Sequence, residues 1–286
     1  MLKFTKKLFA GFGLAALGLA GMAYAAGGGT GDYKMKHVHW HFNGPFGQFD
    51  RTAVQRGFQV YREVCAACHG LDHLAFRHLG DKNGPYYKPE YKNPNDNPYV
   101  KAFAADWTIS DIDGDTGDVI DRPGIPADKF PPIFPNEAAA RASNSGALPP
   151  DLSLIVAARG GGADYVYNLL VAYGKDAPAD LTLGPGQHYN PVMEGGAIAM
   201  APPLSDGLVE YASIESDDGH GNVVTIPAPA ATVEQMAKDV TEFLAWTSDP
   251  KMEQRKSLGL AAMIYLLIFA VLMWFSYKRV WRNVKH

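Results

Sequence analysis

The chain has 286 residues, enough for one large or two small domains, and a formal net charge of −4. That charge is unevenly spread: residues 26–250 hold 16 basic against 29 acidic side chains, net −13, which repels polyanions and excludes nucleic acid as a partner. Only two cysteines are present, so no disulfide framework is available to replace a packed core. At the start, residues 1–25 read as a cleaved bacterial export signal. Lys3, Lys6 and Lys7 give a positive beginning, an apolar run follows from Leu8 to Ala20, and Ala23-Tyr24-Ala25 is a small-x-small cleavage site. The run is short for a permanent span, and the leader's lack of arginine speaks against a mitochondrial transit peptide.

Residues 26–49 are rich in Gly and aromatics with little periodicity, and read as an extended arm over the surface. His37, His39 and His41 alternate along it. With no thiol or carboxylate partner nearby in sequence, a surface or packed strand outweighs a metal site. Thr52 to Ala67 reads as the first clear helix. Val54, Phe58, Tyr61 and Cys65 recur at helical spacing, Thr52 with Gln55 makes a capping-box pattern, and Gly57 would permit close approach of another helix. The helix delivers Cys65-Ala66-Ala67-Cys68-His69, the C-x-x-C-H pattern of covalent haem attachment. Two thiols three positions apart reach the two vinyl groups of one porphyrin, and the next histidine turns its imidazole to the iron. A zinc site would need a second ligand pair, which the chain lacks, and a redox dithiol would not need His69.

Residues 80–136 read as loop, with turn signals at Asn93-Pro94, Asn97-Pro98, Asp113-Gly114 and Arg122-Pro123-Gly124. The acidic run Asp106, Asp111, Asp113, Asp115, Asp118 and Asp121 misses the spacing of a calcium loop and reads as a solvated surface. Short helices are expected over 136–142 and 152–159, and a better one over 164–173, where Val166, Leu169, Leu170 and Tyr173 share a stripe. Gly160-Gly161-Gly162 lacks the Lys-Ser/Thr of a phosphate loop. Residues 174–230 look irregular. A last helix runs over 232–247, capped at Thr232, with Met236 on its inner stripe, before Pro250 breaks the chain. Then 257–277 holds 21 residues without a charge, spanning roughly 30 Å as a helix, which matches a bilayer's hydrocarbon layer. Basic residues flank it and lean C-terminal, so residues 251–286 read as an anchor with its tail in the cytoplasm and residues 26–250 as a periplasmic haem domain. The overall expectation is a mainly α fold with long irregular loops, a class I cytochrome c-like domain, and one C-terminal transmembrane helix.

His69 fills one axial position of the iron. Met200, in Ala197-Ile198-Ala199-Met200-Ala201-Pro202-Pro203, lies in an apolar segment stiffened by prolines that could present a thioether, a ligand that raises the potential of a haem. Met193 is the close competitor, Met35 in the arm, Met236 on a helix stripe and several histidines are the further candidates, and plain packing of a methionine stays open on the residues alone.

The chain resembles the cytochrome c1 family, the haem subunits of ubiquinol–cytochrome c oxidoreductase (the bc1 complex), of alpha-proteobacterial type. The resemblance rests on Arg56-Gly57-Phe58-Gln59-Val60-Tyr61 leading into the haem motif, then Arg77-His78-Leu79, Pro135-Asn136-Glu137-Ala138-Ala139, Leu148-Pro149-Pro150-Asp151-Leu152-Ser153, Ala197 to Pro203 and the C-terminal anchor. It covers nearly all of residues 26–286. It implies one covalent haem c on Cys65 and Cys68, axial ligands His69 and Met200, Arg159 at a haem propionate and Tyr165 in the same pocket, with Pro149-Pro150 walling the porphyrin near His69. It further implies that no separate catalytic site exists on this chain. The electron would come from the Rieske iron–sulfur protein beside cytochrome b and pass to a basic c-type cytochrome, soluble or membrane-tethered. The competing role is a free membrane-anchored cytochrome c feeding a terminal oxidase. Some bacterial relatives carry a further cysteine pair in the loop before the methionine ligand; this chain has none.

Overall fold

The computed structural model describes residues 33–217 and 223–284. The expected leader lies outside them. The described part of the arm, residues 33–49, has neither helix nor strand, as its composition implies, and is held at both ends. Asn168 fills all its hydrogen-bonding capacity on one end, accepting from Tyr33 Oη and Lys36 N and donating to the Lys36 and Asp164 carbonyls. Asp164 accepts from Val38 N and from Trp40 Nε1, at 3.2 and 2.7 Å. The three histidines do not form a strand. His37 Nδ1 lies 3.0 Å from Asp164, His39 and His41 meet edge to face, and no metal-ligand cluster occurs among the described residues.

Helix α1 spans Arg51–Glu63. Its cap is Asp50, whose Oδ1 accepts from Thr52 N (2.9 Å) and Ala53 N (3.2 Å), so the helix begins before the expected Thr52. Gln55, expected to close a capping box, instead reaches the Pro85 carbonyl. The helix also ends sooner than the stripe suggests. Val64 leaves helical geometry, and Cys65–Ala67 form a separate 3-10 turn.

The interval 80–136 carries more order than its turn signals imply. Pro94–Asp96 form a 3-10 turn, and helix α2 spans Pro98–Ala105, with Asn97 accepting from Tyr99 N at 3.0 Å and Pro98 in the first turn. The Asn-Pro pair is therefore a helix start rather than a bare turn. Strands β1 (Thr108–Ile112) and β2 (Val119–Pro123) follow as an antiparallel hairpin. The acids of this hairpin have structural employment: Arg122 bonds Asp111 and Asp128 at 2.7 Å, and Asp113 accepts from the backbone of Asp115 and Thr116 to close the turn.

Helices α3 (Glu137–Ser143), α4 (Ile155–Ala158) and α5 (Gly162–Val171) lie close to the expected positions, though α4 is a single turn. The two-residue strands β3 (His188–Tyr189) and β4 (Ala197–Ile198) pair antiparallel, as do β5 (Ile214–Asp217) and β6 (Val223–Ile226). Helix α6 spans Val233–Ser248, and Thr232 Oγ1 accepts from Gln235 N as the cap pattern predicts. Past Pro250, helix α7 spans Met252–Val280; with the following turn it is long and apolar enough to cross a membrane. The fold class is as expected, mainly helical with few short strands and one long apolar C-terminal helix.

The core is the crossing of α1 and α6. A methyl group on Gly57 would stand 2.0 Å from the Asp239 carbonyl oxygen, so only glycine allows the helices this close. Arg56 clasps Asp239 with two bonds of 2.8 and 2.7 Å, an ion pair with the carboxylate almost fully buried. Around it Phe58 packs against Tyr86, Phe103, Phe130 and Phe243 with ring centroids 5.2 to 6.4 Å apart, so the N-terminal helix and the last domain helix share one aromatic cluster. Met236 is wholly buried there, as its inner stripe implies.

Candidate functional site

The early end of α1 places the attachment motif. Leaving the helix at Val64 puts Cys65 and Cys68 on a tight turn, closed by Cys68 N and His69 N both donating to the Cys65 carbonyl (3.1 and 2.9 Å). Both thiols are free and half-buried. Desolvation first, and the neighbouring Cys68 second, push the Cys65 thiol up to about 12.

His69 is oriented from two sides. Tyr61 Oη, from the buried face of α1, donates to the His69 carbonyl at 2.9 Å. His69 Nδ1 donates to the Pro150 carbonyl at 2.7 Å. That bond fixes the tautomer and leaves Nε2 as the unprotonated nitrogen. Burial holds the imidazole below the ordinary histidine range, with the Pro150 bond and Asp151 opposing, so the ring is neutral at neutral pH. The segment that supplies Pro150 is itself locked to the stretch after the motif. Asp151 accepts from Asp72 N (2.8 Å) and Ser153 N (2.9 Å), Leu152 N donates to the Gly70 carbonyl, and Ser153 Oγ accepts from His73 N. Pro150 is thus an acceptor for His69, a role that its sequence does not announce because the group used is a backbone carbonyl.

The methionines sit on the β3–β4 hairpin. Met193 lies in its loop and Met200 two residues beyond β4, both half-buried. Tyr165 Oη lies 3.9 Å from the Met193 sulfur, an O–H···S contact. Tyr173 Oη donates to the Met200 carbonyl at 3.0 Å. The structure therefore brings Tyr165 to Met193. Tyr173, expected only as part of an apolar stripe, is the residue that reaches Met200, and Asn190, not singled out from the sequence, ties the hairpin back to the Leu169 carbonyl at 2.8 Å. Arg159 follows α4 in extended geometry with an exposed side chain.

These groups fit a c-type haem. A neutral imidazole with one nitrogen already bonded to backbone, a thioether on a braced strand and two free thiols on one turn are the donor chemistry such a group needs. They define the class, a c-type cytochrome, and among the described residues one apolar C-terminal helix is long enough to cross a membrane. The profile of the Cytochrome C1 family matches residues 40–284, and the chain belongs to that family. It is 46% identical over 262 residues to a cytochrome b/c1 of Bradyrhizobium diazoefficiens, covering 85% of this chain and 35% of that protein. It is also 46% identical over 246 residues to the mitochondrial cytochrome c1 heme protein of Kluyveromyces lactis (86% of this chain, 76% of that one). It is 35% identical over 294 residues to the cytochrome c1 of Rhodospirillum rubrum (95% and 97%).

Proposed function

We propose that this chain is the haem-bearing electron carrier of a bc1 complex, taking one electron from a Rieske iron–sulfur protein and passing it to a c-type cytochrome. The observation that carries the reading is the bond from His69 Nδ1 to Pro150, which readies Nε2 for iron beside two free thiols on the same turn. Cys65 and Cys68 would hold the porphyrin through thioether bonds, and His69 would supply one protein ligand to the iron. Met200 would supply the other, because the Met193 sulfur is already engaged by Tyr165 while the Met200 segment is braced by Tyr173 on one side and by Pro202-Pro203 on the other. When bound, the haem supplies a one-electron ferric/ferrous couple. The protein's part is to keep both axial groups in place and neutral, so that the coordination need not change with oxidation state. The exposed guanidinium of Arg159 is the partner for a propionate.

Cytochrome b is the membrane partner, and α7 packs against it. In the Bradyrhizobium relative both names belong to one polypeptide, which favours a bc1 complex over a free anchored cytochrome feeding an oxidase. Residues 1–25 are removed on export, 26–250 lie in the periplasm, and the C-terminus faces the cytoplasm. Purification of the haem protein from membranes, with its accompanying chains identified, tests the assignment. Cytochrome b and a Rieske protein are expected; a haem polypeptide recovered alone would favour the free cytochrome. The ligation is tested by Met200→Leu, which should lower the midpoint potential and let carbon monoxide bind the ferrous haem. An unchanged spectrum would pass the sixth position to Met193.

A further inference from the structure

The hairpin that carries Met200 has little means of holding its own register. Its ladder is two residue pairs, His188 with Ile198 and Tyr189 with Ala197. Two-stranded hairpins in water are marginally stable even when longer. The connecting loop turns through Gly195 and Gly196, both near φ +75°, and no disulfide crosses it. A ligand two residues past such a ladder needs support from elsewhere.

That support comes from one stripe of α5. Tyr165, Leu169 and Tyr173 are spaced by four, so they stack along a single face, which Ala172 carries past the helix end in αR geometry before Gly174 (φ +78°) turns the chain away. Each addresses a different point of the hairpin. Tyr165 Oη meets the Met193 sulfur in the loop. The Leu169 carbonyl, one of the four left unpaired at a helix C-terminus, accepts from Asn190 Nδ2 at 2.8 Å. Asn190 is itself fully buried and accepts from Val192 N through Oδ1, so its orientation is fixed. Tyr173 Oη donates to the carbonyl of Met200 itself.

We infer that Tyr173 is a positioning residue for the sixth ligand, its hydroxyl and the Asn190 clamp together registering the Met200 strand on α5. The inference rests on Met200 being the ligand. Tyr173→Phe keeps the ring and removes the hydroxyl, with its bond to the Met200 carbonyl and its contact to the Asn190 side chain. With one ordinary hydrogen bond lost, exogenous imidazole should displace the thioether from the ferric haem about fivefold more readily. The far-red absorption band that marks methionine ligation should weaken, and the midpoint potential should fall, since the thioether favours ferrous iron. Tyr33→Phe is the control, because Tyr33 bonds Asn168 of the same helix and not the hairpin. Its imidazole affinity should match the unaltered protein. An equal rise in both variants would mean general loosening of α5 and would overturn the inference. So would no change in Tyr173→Phe while Met200→Leu opens the iron, a result that leaves the ligation intact. If Met200→Leu itself leaves imidazole binding unchanged, the ligation reading falls and this one with it. Should Tyr173→Phe fail to load haem, Asn190→Ser, which cuts the second tie, reads the same quantity: a rise supports the clamp, and an unchanged affinity overturns it.

Discussion

Glu242 is a carboxyl group almost without water, 1% exposed where α6 faces the start of α1. One oxygen accepts from Asp50 N at 3.1 Å. The groups that face it are Asp50, Lys238 and Asp239, and burial outweighs the favourable contacts to raise it from 4.5 to about 7. The sign follows from linkage: between about 4.5 and 7 the folded chain holds a proton that the unfolded chain has released, so this group's contribution to stability declines as pH rises through that window. Glu242→Gln keeps an acceptor for Asp50 N and removes the titration. Thermal melts of the variant from pH 4 to 8 should lack that decline and show a higher melting temperature at pH 8; parallel curves for both proteins would refute the assignment. At this scale much of the haem site was legible. Cys65, Cys68 and His69 stand out through side-chain type and spacing, whereas the residues alone left Met200 level with Met193 and with plain packing, and only the family resemblance favoured it. Pro150, Leu169 and the other end of the Tyr173 bond were not legible, because there the working group is a backbone carbonyl, which every residue carries and no sequence pattern marks.

Between elements, the distance of α1 from α6 is decided by a missing methyl. Gly57→Ala would drive a carbon into the Asp239 carbonyl, a backbone atom with no rotamer to yield. The helices must then separate and loosen the Arg56–Asp239 clasp, a loss of about 1–3 kcal/mol from overpacking alone. Denaturant unfolding of the holoprotein followed by near-ultraviolet dichroism should show an earlier midpoint, and a midpoint within error of the parent would refute the steric reading. Helix positions were readable wherever an apolar stripe ran for three turns, as in α1, α5 and α6. Their ends were less so. Asp50 competes with Thr52 for the same cap, and Val64 ends α1 although Cys65 continues its spacing. The β1–β2 hairpin escaped because it is mostly exposed and its apolar residues Ile109, Ile112, Val119 and Ile120 follow no alternation; Arg122 holds it together instead.

Across the whole molecule, the opposite charges of domain and anchor set up different partners at the two ends. The net −13 of residues 26–250 should draw a basic c-type cytochrome to the proposed carrier at a rate that falls as ionic strength rises. Stopped-flow oxidation of the purified complex by such a cytochrome at several salt concentrations checks this, and a rate indifferent to salt would refute electrostatic steering. At the other end Lys278 lies over the Trp274 ring at 4.0 Å, just where the apolar stretch gives way to charge. The arm ties these regions together: Glu253 accepts from Phe49 N, and Lys256 Nζ donates to the carbonyls of Phe42 and Gly47. The first turns of α7 are thus laced to the same strap that bonds Asp164 and Asn168, so a change in the strap at Phe42 or Gly47 would be felt at the base of the long apolar helix.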